Sequence, residues 1–200
     1  MDRISLGTRK VSIEFPGVKA LNQVDFEVST GEIRAVVGAN GAGKSTLMKV
    51  LAGANPEYTG EVCRNGKAVE LRTPLSAKRL GIQIVYQEVD TALVPTFSVA
   101  ENVMLNETVL NTRGRPMMNW RKLYRQASEV LDRLHIKVNV RKLVQDLTLA
   151  EKQMVLIARA IQSECSFLIL DEPTATLSDT ETKELFSLVK HLRETENIAI

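Results

Sequence analysis

Gly38-Ala39-Asn40-Gly41-Ala42-Gly43-Lys44-Ser45 fits the pattern G-x-x-x-x-G-K-[ST] at every fixed position. The glycines let the backbone wrap closely, so that successive N–H groups point at the β- and γ-phosphates of a nucleotide. The helix expected behind the loop adds its positive N-terminal end. Lys44 supplies a mobile cation for the β/γ oxygens. Ser45 offers a hydroxyl to Mg²⁺, and Thr46 gives a further donor near the α-phosphate.

Both flanks suit this reading. Ile33 to Val37 is apolar and predicts a buried strand entering the loop, and STLMKVLAG predicts a helix stopped by Gly53. Upstream, Val24 to Val28 alternates as a half-exposed strand. Downstream, Asn65-Gly66 marks a hairpin turn between TGEVCR and KAVEL. Thr73-Pro74 opens a short helix, and Ile82 to Tyr86 is again strand-like. From about Ser98 to Ile161 the periodicity is mainly helical. One helix begins near Asn119, with Leu123, Ala127, Val130, Leu131 and Leu134 on one face, and a second runs from about Leu149. A strand returns at Phe167 to Leu170, followed by a helix over Thr180 to Glu194, and NIAI at 197–200 begins another strand. The expected fold class is α/β: a P-loop core with an antiparallel β subdomain and an α-helical insertion.

FLILDEPTA, Phe167 to Ala175, is an apolar strand ending in two acids. Asp171 at the strand end can hold the Mg²⁺ shell. Glu172 can polarise a water for in-line attack on the γ-phosphate. Gln87, directly after the preceding strand, carries a side-chain carbonyl that could reach Mg²⁺ or that water, although most loop glutamines are simply solvated.

Composition narrows the rest. The 200 residues are 44% apolar and 25% charged, enough for one globular domain with a sizeable core. The 26 basic and 24 acidic side chains nearly cancel, so nothing argues for nucleic acid as the main ligand. Cys63 and Cys165 are too few for a metal site and read as small buried hydrophobes. No secretory leader opens the chain, because Asp2, Arg3 and Glu14 interrupt any apolar stretch, and no run approaches a membrane helix. Membrane association must come through a partner.

In this order, the loop at Gly38–Ser45, Gln87, a helical segment, Leu147–Gln153, Phe167–Asp171 and Glu172 resemble the ATP-binding cassette family over essentially the whole chain. FPGVKAL, GIQIVYQE, SVAENVML, KQMVLIARAI and DEPTATLSDTE are similar to the ATPase subunits of carbohydrate importers of the ribose/galactose/autoinducer-2 type. The resemblance implies one nucleotide-binding domain over 1–200, with a helical subdomain at about 88–161. It implies Mg-ATP as ligand and hydrolysis that drives import of a sugar. The implied partners are a second cassette, in the same polypeptide or a dimer mate, and membrane permease subunits; a solute-binding protein would act indirectly. The protein would then sit peripherally on the cytoplasmic face of the membrane, with Glu88–Asn106 relaying motion to the permease. The competing expectations are a non-transport cassette ATPase and a truncated ATP-binding fragment with little turnover. The resemblance also implies that Phe15 stacks on adenine, although a core aromatic is an equal reading.

Three features depart from the family pattern. Where LSGGQ is usual, this chain has Leu147-Thr148-Leu149-Ala150-Glu151. The turn Thr148, Leu149, Ala150, Glu151 would reach the γ-phosphate of the opposite cassette, and Glu151 would bring negative charge towards it. Thr148-x-x-Glu151 is also a capping box for the following helix. Ser178 stands where Asp is usual in the wider family, a lack that DEPTATLSDTE shares with the sugar importers it resembles. The family's switch histidine would follow Ile200; His135 and His191 read as surface residues. The resemblance therefore implies most of a first cassette, with its C-terminal part missing.

Overall fold

The computed structural model describes residues 3–106 and 118–200. That part of the expected helical stretch at 107–117 lies outside them.

Two compact units emerge: residues 1–84, 165–171 and 193–200, and residues 85–164 with 172–192. In the first, β1 (Ser5–Phe15) pairs antiparallel with β2 (Val18–Ser29) and with β3 (Thr59–Arg64), and β3 pairs with β4 (Lys67–Val69). The sheet order is β2-β1-β3-β4. Asn65 (φ 51°) and Gly66 (φ 72°) are both left-handed, as a two-residue turn between twisted strands requires. The expected strand at Val24–Val28 is the second half of β2, and β1 was not expected. In β1 the buried side chains are those of Leu6 and Thr8, on either side of a buried Gly7, then Val11 and Ile13. The parity slips at Lys10 (φ 47°), an irregularity held by the Lys10 N–H donating to Asp25 Oδ1 at 2.7 Å. A slip of one residue hides a strand from any test for strict alternation.

Helix α1 (Lys44–Leu51) packs Leu47, Val50 and Leu51 into a core shared with Leu6, Val11, Leu21, Val62, Phe167 and Ile169. Gly53 (φ 69°) ends it as expected. Helix α2 (Pro74–Arg79) starts at Thr73, which forms a capping box with Ser76. Strands β5 (Ile82–Val85) and β6 (Phe167–Leu170) are neighbours. The Gly81 carbonyl, just ahead of β5, accepts from the N–H groups of Ser166 and Phe167, so the two strands leave from the same end and run the same way. Ala199 continues this sheet in parallel with Phe167.

The expected buried strand at Ile33–Val37 is corrected. No strand forms there, and Ile33, Val36 and Val37 are 44%, 37% and 88% exposed. Among the described residues, ladder bonds reach it only at its start, through the Ile200 N–H to Glu32 O (2.8 Å) and the Arg34 N–H to Ile200 O (2.7 Å). An apolar run becomes a strand only where a neighbour satisfies its backbone.

In the second unit, α3 (Val89–Ala92), α4 (Val99–Val103), α5 (Trp120–Arg133), a short 3₁₀ turn at Val144–Asp146 and α6 (Leu149–Gln162) form a helical body. Helix α4 packs on α5 and α6, burying Val99, Val103, Ala127, Leu131, Val155 and Ala158. Asn119 caps α5, where Leu123, Ala127, Leu131 and Leu134 are buried and Val130 half-buried. Helix α7 (Asp179–Thr195) buries Leu185, Leu188, Val189 and Leu192.

Candidate functional site

The phosphate loop ends in a helix start without a side chain to close it. Gly43 is the N-cap of α1 at φ 89°, and no side chain bonds the first-turn N–H groups. A Cβ at Gly43 would come within 2.4 Å of the Ala20 carbonyl, so both the dihedral and the space demand glycine. The first turn is therefore left with donors facing outwards and the positive end of the helix behind them. Lys44 Nζ donates to the carbonyls of Gly38 (2.9 Å) and Ala39 (3.0 Å), which folds its ammonium over the loop. Gly38, Ala39, Asn40, Gly41 and Ala42 are exposed, while Lys44, Ser45 and Thr46 are half-buried.

Asp171, 126 residues away in sequence, arrives at this loop. Ser45 Oγ donates to Asp171 Oδ1 at 3.1 Å. The apolar strand Phe167–Leu170 anchors the carboxylate, since Phe167 and Ile169 are buried in the same core as α1. Oxygen donors of a hydroxyl and a carboxylate so close together suit a hard divalent cation. Phe15, at the end of β1, is 44% exposed, so its ring is not a core aromatic.

Gln87, Glu172 and the turn at 148–151 belong to the second unit. Gln87 and Glu172 are both exposed. Glu172 has φ 47°, an uncommon backbone state for a glutamate, immediately after Asp171. Thr148 caps α6: its hydroxyl accepts the Glu151 N–H at 3.2 Å, and Glu151 Oε2 accepts the Thr148 N–H at 2.8 Å. Leu149 is half-buried and Ala150 buried. Ser178 and Glu181 make the same reciprocal bonds, at 2.9 Å from the Ser178 N–H, 2.7 Å from its hydroxyl and 3.4 Å from the Glu181 N–H. The Ser178 backbone bond, then its hydroxyl, hold the Glu181 carboxyl below the usual carboxylate range.

Two lysines near the turn, neither expected from the sequence, pair with acids. Lys142 Nζ donates to Glu151 Oε2 at 3.1 Å and to Oε1 at 3.4 Å. Lys152, only 17% exposed, donates to Asp90 Oδ1 at 2.7 Å. The signal for Lys142 was the acid at position 151 itself, which asks for a cation, but no local spacing says which lysine answers. His135 is exposed and His191 half-buried; they stack edge to face at 4.7 Å, and His191 Nε2–H donates to the Arg133 carbonyl at 2.8 Å. Cys63 is buried, and burial pushes the Cys165 thiol up to about 12, so both behave as hydrophobes. Among the described residues no group of His, Cys, Asp and Glu could hold a metal ion as three or more ligands, and no helix is long and apolar enough to cross a membrane.

Known proteins similar to this chain point to one family. Ribose import ATP-binding protein RbsA 2 of Rhizobium etli is 46% identical over 92% of this chain and 35% of its own length. RbsA 1 of Rubrobacter xylanophilus is 44% identical over 94% of this chain and 37% of its own. The chain thus spans about a third of the length of these relatives. Among solved structures, cbiO1 from Clostridium perfringens, part of the cbiONQ ABC transporter complex, matches with a TM-score of 0.81 and 26% identity over 98% of this chain and 76% of that one. An ATP-binding cassette of an ABC transporter in its ADP conformation matches in fold with a TM-score of 0.83, at 23% identity, over 100% and 80%. The family model described as ABC transporter covers residues 21–175, from the strand ahead of the phosphate loop to just past Glu172, and the chain belongs to that family as a nucleotide-binding cassette.

Proposed function

We propose that this chain binds and hydrolyses Mg-ATP to energise import of a sugar or sugar-like solute through a membrane permease. The observation that carries the reading is the Ser45–Asp171 bond, which joins the phosphate loop to the acid of β6. ATP phosphates would lie across the N–H groups of Gly41 to Thr46, and Lys44 would exchange its loop carbonyls for β/γ oxygens. Phe15, exposed at the tip of the β1–β2 hairpin, would stack on the adenine. Ser45 and Asp171 suit Mg²⁺ as oxygen donors, and the Gln87 amide oxygen would be a third. Bound there, the cation would offset charge on the β- and γ-oxygens. Glu172 would accept a proton from the attacking water, and Gln87 would help to orient that water.

The turn Thr148–Glu151 would serve the γ-phosphate of a second cassette, and residues 1–200 would act as one cassette with a helical subdomain at about 88–161. Permease subunits, a solute-binding protein acting through them, and a peripheral place on the cytoplasmic face follow from this role. The relatives named as ribose import proteins support a sugar as the cargo. The test is ATP hydrolysis by the protein assembled with its permease. Stimulation by a ribose-loaded solute-binding protein supports the reading. ATP turnover that is indifferent to permease and binding protein overturns the import role and favours a non-transport cassette.

A further inference from the structure

We infer that Lys142 is a positioning residue of the signature turn, cancelling the charge of Glu151 so that the turn can approach a triphosphate. The inference rests on the reading of Thr148–Glu151 as the turn that faces a second cassette's γ-phosphate. A carboxylate aimed at a polyanion would repel it, and the sequence alone places such a carboxylate at 151. The structure gives that group another direction. Its Oε2 turns back onto the Thr148 N–H at 2.8 Å, inside the capping box, and away from an outward pose. Lys142, on the loop before the turn, reaches both carboxylate oxygens at 3.1 and 3.4 Å. Both side chains are about one-third exposed, so solvent screens the pair only in part.

The loop carrying Lys142 is itself fixed. The Lys142 N–H donates to the Asn139 carbonyl at 3.1 Å, its own carbonyl accepts from Val99 N–H at 2.9 Å, and Ser98 bridges Leu143. Lys142 is therefore presented by a backbone tied to α4, rather than reaching from a free coil. The next residue along α6, Lys152, is held by Asp90. Lys152 cannot serve Glu151 without leaving Asp90, so Lys142 is the cation that compensates the turn. An acid at 151 and a lysine at 142 act as one neutral unit where the usual signature has a neutral glutamine.

The test uses the full chain carrying Glu172→Gln, expected to slow hydrolysis, and reads the ATP concentration that half-saturates pairing of cassettes in sedimentation velocity. Lys142→Met should raise that concentration about two- to fivefold, the span of a partly exposed ion pair. The rise should shrink as salt increases. Adding Glu151→Gln to Lys142→Met should restore the original value, because the exposed charge is then gone; a merely structural role would leave the double variant as poor as the single one. Urea midpoints of each variant separate loss of fold from loss of pairing. Leu149→Glu places a new acid on the same turn as a control. If Leu149→Glu pairs normally, the turn faces no phosphate and both the reading and this inference fall. If Leu149→Glu is impaired while Lys142→Met is unchanged, or is not rescued by Glu151→Gln, the role of Lys142 alone is overturned.

Discussion

Two helix starts in this molecule, those of α1 and α6, are finished in opposite ways. At α1 the N-cap is Gly43, no side chain bonds the first turn, and its N–H groups stay open. At α6 the N-cap is Thr148, and a reciprocal capping box with Glu151 uses two N–H groups, with Lys142 closing over the acid. The first design leaves the donors for a ligand; the second uses them for the stability of the helix itself. A helix N-terminus is thus an anion site only where the sequence withholds its own cap. Glu151, which reads in sequence both as a repulsive charge and as a capping residue, is in the structure a cap with a counter-ion.

The largest effect should come from Glu172→Gln, which leaves both helix starts intact and removes the proposed base. ATP turnover should fall by about 10²- to 10⁴-fold with binding retained. Turnover within twofold of the parent would move the chemistry elsewhere. Next, Lys44→Ala removes the cation at the open start. Mg-ATP affinity by calorimetry should weaken by about 1.5–3 kcal/mol, whereas Lys142→Met should leave nucleotide binding by the isolated chain unchanged. Equal losses from the two lysines would erase the contrast between the two helix starts.

Gly43→Ala asks whether the open start is obligatory. The added Cβ meets the Ala20 carbonyl and the φ of 89° is strained for alanine, so urea unfolding should show a loss of about 1–3 kcal/mol. Thr148→Ala tests the closed start and should cost about 1 kcal/mol of stability with no change in ATP affinity. If Thr148→Ala were neutral in stability, the capping box would not be the reason for threonine at that position.

The smallest expected effect concerns a third start, that of α7, where Ser178 and Glu181 repeat the capping box. Here the folded carboxyl titrates below its unfolded value. Its contribution is present above the ordinary glutamate range, near pH 4.3, and is lost as pH falls through the lower folded value. Thermal melts of wild type and Ser178→Ala should therefore differ at neutral pH and converge under acid. A difference that grows on acidification would overturn the assignment. Ser178 caps its own helix, as Asp would, so capping does not explain the exchange from the family's Asp.

Much of this was legible in the chain. The loop Gly38–Ser45, the helix ended by Gly53, the Asn65-Gly66 turn, the Thr73 and Thr148 caps, the helix start near Asn119 and the acid after Phe167–Leu170 are local signals, set by a few neighbouring residues. Strand β1 was not legible, because an irregularity at Lys10 shifts its buried face by one residue. Ile33–Val37 was misjudged as a buried strand, since its apolar side chains say nothing about whether a neighbour lies alongside. The sequence by itself determined the chemistry at the phosphate loop: which residues can turn left-handed, donate N–H groups or carry charge is covalent information. Only the tertiary structure decided that Asp171 meets Ser45 across 126 residues and that Lys142 rather than Lys152 answers Glu151. Those pairings depend on which core each backbone is anchored to, and a pairing energy acts only once packing has brought its partners within reach.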